Sequence, residues 1–417
     1  MASSTSRPLY RLIGFLDGDF GLSVAARNTE RALKASGREV ERVPLQPSDS
    51  AAPARVRAGS PADAQRGAID LFQMNPLDIG RYSAQWRLGI DAREARACVP
   101  FWELPLVPRS WEPMLRAMDV VLAPTRYIAD ACAPVVGEDR VVLYPQAVFL
   151  PEDVHPDRSR WGIPREATTF IVSFDIGSDV ERKNPWAAID AFQLAFPDEG
   201  DVRLVVKTKP WPHMRAYRAQ AQKLAERVAS DSRIQLIDES LTYADVLQLY
   251  ASCDVMISLH RSEGLGLHLM EAMSLGVVVV GTGWSGNVDF MTPANSVLVP
   301  YQLVPVKTAH SAYLSETGRD GQVWAEADAR AAASELVALR EDPERRIGLS
   351  RAAAADMDTR RRDLLTGRVF DDLETALTRA AGARDDIDKA IRRAHRTVRV
   401  QRLRDKVIAV QRRLGHG

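Results

Sequence analysis

The sequence predicts an α/β protein of two doubly wound domains facing a central cleft, followed by a C-terminal helical tail. Three observations carry this prediction. The chain has 417 residues, nearly three times the ~150 that one domain typically needs. Hydrophobic residues make up 46% and charged residues 26%, the balance of an ordinary globular chain and far from that of a disordered one. Strand-like and helix-like segments alternate in two long series separated by a proline-rich stretch, the pattern of parallel sheets crossed by helices.

The first series opens with the apolar stretch Leu9 to Leu16, which runs into Asp17-Gly18-Asp19-Phe20-Gly21. Apolar spacing from Val24 to Leu33 predicts a helix closed by Gly37, and Glu39 to Val43 the next strand, completing a βαβ unit. Residues 46–66, rich in Pro, Ser, Ala and Gly, read as a long loop. Further strands are expected at 68–74, 97–101, 119–123 and 140–144, with helices at 109–117 and 125–135. Pro145, Pro151, Pro156 and Pro164 then mark a hinge. The second series places strands at 169–174, 202–207, 233–237, 254–258 and 277–281, and helices at 185–196, 213–229, 242–251 and 266–275. The domains therefore run 1–148 and 166–360, with a linker at 149–165 and helices ending in a basic tail at 361–417. In that tail, Lys389 to Arg413 holds ten bases against one acid, Asp405, beside the apolar stripe Val398, Leu403, Val407 and Val410. Two readings stay open there: a solvated terminal helix, or one drawn to an anionic membrane surface.

Composition excludes several classes. With 55 acidic and 55 basic residues the formal charge is zero, which argues against a general nucleic-acid binder. No apolar run approaches the ~18 residues of a spanning helix. The start lacks the pattern of a secretory leader, so a cytoplasmic location is expected. Cys98, Cys132 and Cys253 are too few and too far apart for a disulfide framework or a clustered metal site.

The segment Ser258-Leu-His260-Arg261-Ser262-Glu263-Gly264-Leu265-Gly266-Leu267-His268-Leu269-Met270-Glu271 carries the most chemistry. A strand ends, a glycine-bearing turn follows, and a helix begins near Gly266. Such a turn aims backbone N–H groups at an anion, and glycine lets a ligand approach the main chain. Two acids fit an anion site only if they contact hydroxyls, as a sugar and a ribose flanking a pyrophosphate would supply. The alternative is a plain loop with two surface glutamates.

Glu263 and Glu271, with Gly264, Gly266, Glu271-Ala-Met and Gly276-Val-Val-Val-Val-Gly281-Thr282, resemble the E-x7-E signature of retaining GT-B glycosyltransferases. That family includes glycogen synthase, sucrose synthase and bacterial mannosyl- and glucosyltransferases. The resemblance implies two Rossmann-like domains, with Glu263 touching the transferred hexose and Glu271 the nucleotide ribose. It also implies that Gly264, Leu265 and Gly266 hold the donor through their amides, and His260 is counted with these donor-binding residues. His268 departs from the family, which often has Pro there. Upstream, Phe174-Asp175-Ile-Gly-Ser178-Asp-Val-Glu181-Arg182-Lys183-Asn184-Pro185 is similar to the family's loop whose Arg and Lys neutralise the donor pyrophosphate. Here the two cations adjoin, so they should project differently, and Lys183 is the stronger candidate of the pair with Arg182.

Lys207 ends a strand, where it either supports the phosphates or pairs with an acid. Gly283-Trp284-Ser285-Gly286-Asn287 either contacts the sugar through its backbone or forms an ordinary turn. In the first domain, Asp17 to Ser23 resembles the family's loop that offers N–H groups to the distal phosphate, and Gly21 is the residue expected there. Asp17 and Asp19 read as solvated turn acids, so donor binding is expected to need no metal and no cofactor. Glu103, between aromatics in Phe101-Trp102-Glu103-Leu104-Pro105, either meets a sugar hydroxyl or an acceptor proton, or caps a neighbouring helix. The family's functional His of that region is missing.

The implied activity moves a hexose from a nucleoside diphosphate sugar to a glycan, lipid-linked or small-molecule acceptor in bacterial surface polysaccharide or glycoconjugate synthesis. Alternatives are a catalytically silent nucleotide-binding partner, or an epimerase or phosphorylase on the same scaffold. A dehydrogenase is disfavoured because no strand leads into Gly-x-Gly-x-x-Gly.

Overall fold

The computed structural model describes residues 7–45, 68–86, 95–210 and 215–380, with Lys389, Ala390, Arg392, Arg393 and Arg396. The loop expected at 46–66, and the remainder of the basic tail, lie outside the described residues. The chain divides into two compact units, one of residues 1–102, 106–146 and 363–417, the other of residues 103–105 and 147–362.

The first unit is built on a six-stranded sheet of order β2-β1-β3-β4-β5-β6. Its elements are β1 (Leu9–Gly14), α1 (Gly21–Ala35), β2 (Val40–Pro44), β3 (Ala68–Gln73), α2 (Pro76–Trp86), β4 (Ala95–Cys98), α3 (Glu112–Arg116), β5 (Val120–Ala123), α4 (Arg126–Val136) and β6 (Val141–Leu143). All neighbouring strands pair in parallel. Parallel strands are covered on both faces and so read as continuous apolar runs. Every residue of β3 is buried.

The second sheet has the order β12-β11-β10-β7-β8-β9. It comprises β7 (Thr168–Ser173), α5 (Val180–Lys183), α6 (Pro185–Ala195), β8 (Val202–Thr208), α7 (Arg215–Ala229), β9 (Ile234–Asp238), α8 (Tyr243–Ala251), β10 (Val255–Ser258), α9 (Leu267–Ser274), β11 (Val278–Thr282) and β12 (Val297–Val299). Beyond it come the hairpin β13 (Tyr301–Pro305) and β14 (Val323–Ala327), then α10 (Ala329–Glu341) and α11 (Pro343–Leu365). Phe170, Phe192 and Phe196 pack ring to ring at 5.3 to 5.8 Å between sheet and α6. The strand order reverses between β7 and β10, which pair directly, so the loops leaving those strands flank a topological switch point.

Observed elements lie within a few residues of the expected ones, and the structure adds α2, α5, β12, β13 and β14. Two boundaries differ in kind. The residues expected as a linker pack into the second unit: Arg158 pairs with Asp254 at 2.7 Å, and the Asp157 N–H donates to Ser252 Oγ at 2.8 Å. The tail expected to stand apart from residue 361 instead includes α12 (Arg368–Ala380), which packs on β5 and β6 of the first unit. Its buried stripe of Phe370, Leu373, Ala376, Leu377 and Ala380 is the reason, because a helix with one apolar face must bury it.

Candidate active site

The loop from β7 to α6 brings the two basic residues into place. Asp179 caps α5, its side chain accepting from the Glu181 N–H at 3.0 Å. Asn184 ends that single turn in the left-handed conformation, at φ 48°, and Pro185 opens α6 where no N–H is needed. The turn directs both side chains at one carboxylate. Lys183 Nζ donates to Glu263 Oε1 at 2.5 Å, and Arg182 Nη1 lies 3.2 Å from the same oxygen. Although the two residues adjoin and were expected to project differently, both reach this one oxygen. Arg182 reaches Glu263 by folding back beneath the second loop, donating to the carbonyls of Ser262 (2.8 Å) and Ser178 (3.0 Å).

Glu263 sits on the loop between β10 and α9, with only 5% of its surface exposed. Burial opposes its ionisation, but Lys183 and Arg182 outweigh it and hold the carboxyl below the usual carboxylate range. Burial likewise lowers the Lys183 pKa, with Glu263 working against the shift. Gly266 starts α9 at φ 84°, a conformation that glycine adopts without strain. His268, on the first turn of α9, is pushed down to about 3 by burial and the nearby Lys183, so its ring is neutral. Glu271 lies on α9, also 5% exposed. Burial raises its pKa to about 8, against a hydrogen bond of 2.9 Å from the Tyr243 hydroxyl.

Glu103 belongs to this unit by its contacts. Its Oε2 accepts from the Tyr313 hydroxyl at 2.8 Å, its Oε1 is 3.8 Å from Arg182 Nη2, and its carbonyl accepts from Ser262 Oγ. Tyr313 comes from the connection between β13 and β14, and the Arg182 guanidinium lies over its ring. Glu103 thus faces Tyr313 and the basic loop.

Other expected residues fall elsewhere. Lys207 donates to the main-chain carbonyls of Thr208 (2.6 Å) and Glu239 (2.9 Å), binding the ends of β8 and β9 together. His260 is fully buried, with both ring nitrogens engaged by Ser258 and Asn287. Gly21 is the first residue of α1 in the first unit, and Asp17 there pairs with Arg42 at 2.6 Å. Gly264 and Leu265 are buried under the turn at 285–287, where the Gly286 N–H donates to the Glu263 carbonyl at 2.8 Å. Among the described residues no group of three or more His, Cys, Asp or Glu side chains could hold a metal ion. Sequence reasoning missed Tyr243 and Tyr313, which reach the site only through tertiary contact, and it noted Ser285 and Asn287 merely as part of a turn.

Comparison with known proteins bears on the fold. No curated protein matches the chain. Many solved structures share its fold, among them three at low identity. HepE of Anabaena, in complex with UDP and glucose, has a TM-score of 0.57 and 14% identity over 88% of this chain and 99% of its own. Sucrose-phosphate synthase from Thermosynechococcus elongatus reaches a TM-score of 0.62 at 14% identity, over 89% of this chain and 100% of its own. A trehalose-6-phosphate synthase matches with a TM-score of 0.54 and 10% identity, over 75% of this chain and 74% of its own. The chain has the GT-B fold, and its residues 159–302, which include Lys183, Glu263 and Glu271, match the family described as "Glycosyl transferases group 1".

Proposed function

We propose that the chain is a retaining glycosyltransferase that moves a hexose from a nucleoside diphosphate sugar. The contact of Lys183 and Arg182 with Glu263, at the switch point of the second sheet, carries this reading. A nucleoside diphosphate leaving group gains negative charge as the glycosidic bond breaks, and two fixed cations there stabilise the transition state more than the ground state. Because Glu263 is held ionised, it cannot act as a general acid. A diphosphate needs none, so the carboxylate is left to accept hydrogen bonds from hexose hydroxyls. Glu271 accepts from the ribose. Leaving-group departure and acceptor attack occur on one face through an oxocarbenium-like state, and a phosphate oxygen takes the acceptor proton. Retention then needs no pair of carboxylates of the hydrolase type.

The neighbours support the donor class: HepE was solved with UDP-glucose, and the trehalose-6-phosphate synthase is described in terms of glycosyltransfer with retention. A glycan or lipid-linked acceptor, in surface polysaccharide or glycoconjugate synthesis, completes the reading. The basic stretch 389–413 would hold the cytoplasmic protein at the inner face of the cell membrane, which flotation with anionic vesicles tests. The donor is tested with a panel of nucleotide sugars, since a bound donor raises the melting temperature with its concentration. One nucleotide sugar should stand out, and its product should keep the anomeric configuration of the donor by proton NMR. No stabilisation by any member, or an inverted product, would overturn the proposal.

A further inference from the structure

We propose that His260 and Asn287 form a positioning pair that fixes Glu263 for transfer, His260 acting as a neutral imidazole protonated on Nε2. The inference rests on the proposed role of Glu263. Its geometry is a closed chain of hydrogen bonds in the interior. Asn287 Nδ2 donates to the Thr282 carbonyl at 2.9 Å, so its Oδ1 is the atom facing His260 Nε2 at 3.0 Å. An amide oxygen only accepts, so Nε2 carries the proton. His260 Nδ1 is then the acceptor, and Ser258 Oγ, 2.9 Å away, is its donor. Thr282 Oγ1 closes the circuit by donating to the His260 carbonyl at 2.6 Å. All four residues are buried, and burial disfavours a second proton on the ring, with Glu263 working against the shift and Lys183 and Arg182 adding to it.

This circuit ends on the backbone of Glu263. The Glu263 N–H donates to Ser285 Oγ at 2.8 Å, and its carbonyl accepts from the Gly286 N–H at 2.8 Å. The turn that supplies both partners is unfavourable by itself, since Ser285 has φ 77° and ψ −153°, a region in which almost only glycine is at ease. Asn287 ties that turn to the end of β11, and His260 ties Asn287 to the end of β10. Two strand ends and one turn are thereby locked around one peptide. Burial of His260 and occupation of both its nitrogens place its action on Asn287, not on a substrate.

The test compares His260→Leu, His260→Gln and Asn287→Ala with the wild-type protein. Glutamine can present an N–H near the Nε2 position, so it should restore what leucine removes. His260→Leu and Asn287→Ala should each lower kcat ~10–100-fold, as sub-ångström misplacement of a reacting group does. Binding of the nucleoside diphosphate that the panel selects (UDP first, GDP second) should change less than twofold, because Lys183 and Arg182 are untouched. The double variant should be little worse than either single one. Wild-type kcat in His260→Leu, or equal loss of diphosphate binding and kcat in all three variants, would overturn the pairing. Nitrogen-15 NMR of histidine-labelled protein gives a readout independent of activity: the signal lost in His260→Gln should be that of a neutral, Nε2-protonated ring. An Nδ1-protonated or charged ring would also refute it. If no nucleotide sugar were used, the transferase reading would fail while this spectrum still tested the circuit.

Discussion

Lys183 Nζ and Glu263 Oε1 are 2.5 Å apart, so the cation proposed to meet the donor diphosphate is already paired with the acid proposed to meet its sugar. A diphosphate entering this site competes with Glu263 for Lys183. Glu263→Gln keeps size but removes the competing charge. It should tighten nucleoside diphosphate binding about 5–10-fold, one unit charge at partly screened distance, while lowering transfer ~100–1000-fold. Lys183→Met should instead weaken diphosphate binding about 10–100-fold, matching the ~1.5–3 kcal/mol of a charge-assisted contact. Calorimetric titration of the two variants checks both. Weaker binding by Glu263→Gln would show that the acid and the phosphates do not share the lysine.

Glu271 makes stability depend on pH. Burial pushes its pKa from the usual 4.5 up to about 8. In that window the folded protein holds a proton that the unfolded chain has lost. The stabilisation is fully present below pH 4.5 and is lost as pH rises through about 8. At its steepest the loss is about 1.4 kcal/mol per pH unit. Glu271→Gln keeps the bond from Tyr243 but cannot ionise. Melting temperatures from pH 5 to 9 should therefore fall faster for the wild type than for the variant up to about pH 8, and run parallel beyond it. Parallel curves throughout would mean that Glu271 is not desolvated.

Gly286 cannot carry a side chain. A Cβ there would lie 1.9 Å from the Gly264 carbonyl oxygen and 2.9 Å from that of Glu263. Both are backbone atoms and cannot swing away. Gly286→Ala should cost about 1–3 kcal/mol through overpacking and should lower turnover further than stability alone accounts for, because the displaced loop is the one that bears Glu263. Gly348→Ala is the comparison, on α11 with nothing within 4 Å of the added carbon. It should be neutral or stabilising by up to ~1 kcal/mol. Denaturant melts and initial rates of the two variants separate the effects.

The legible parts of this molecule were those written in local sequence. The run Val277 to Val280 reads as a strand and Pro185 as the start of a helix, so the loops before α6 and after β10 follow from residue order. Glu263 and Lys183 stood out there because the two loops resemble those of the glycosyltransferase family, not because of the turns alone. What the sequence could not disclose depends on pairing across long separations. Tyr313 is 210 positions from Glu103, and nothing around it marks it for that carboxylate. Lys207 showed its place at a strand end but not its partners, which are carbonyls and so leave no trace in side-chain composition. Adjacency alone predicts that Arg182 and Lys183 project differently, and the bond from Arg182 to the Ser262 carbonyl is part of what brings its guanidinium to the same carboxylate.

The same limit applies to α12, whose amphipathic pattern is plain but whose destination is tertiary. Phe370 is fully buried, 6.1 Å from the Tyr10 ring and 5.9 Å from that of Tyr144. Beside it the buried Arg38 guanidinium is held by Asp371 at 2.6 Å and Glu374 at 2.8 Å, and Glu374 also accepts from the Tyr10 hydroxyl at 2.8 Å. Removing the helix would leave Arg38 and Tyr10 without these partners and expose an apolar face of the first sheet. Phe370→Ala should cost about 3–5 kcal/mol, transfer and cavity together. Arg38→Met should cost less than Glu374→Ala, because methionine brings no charge to bury whereas losing Glu374 takes one of two acids from the buried Arg38 and the acceptor from the Tyr10 hydroxyl. Urea melts of the three variants give that order. Should Phe370→Ala melt like the wild-type protein, α12 would be an appendage, and ending the chain at residue 362 would leave the first unit folded.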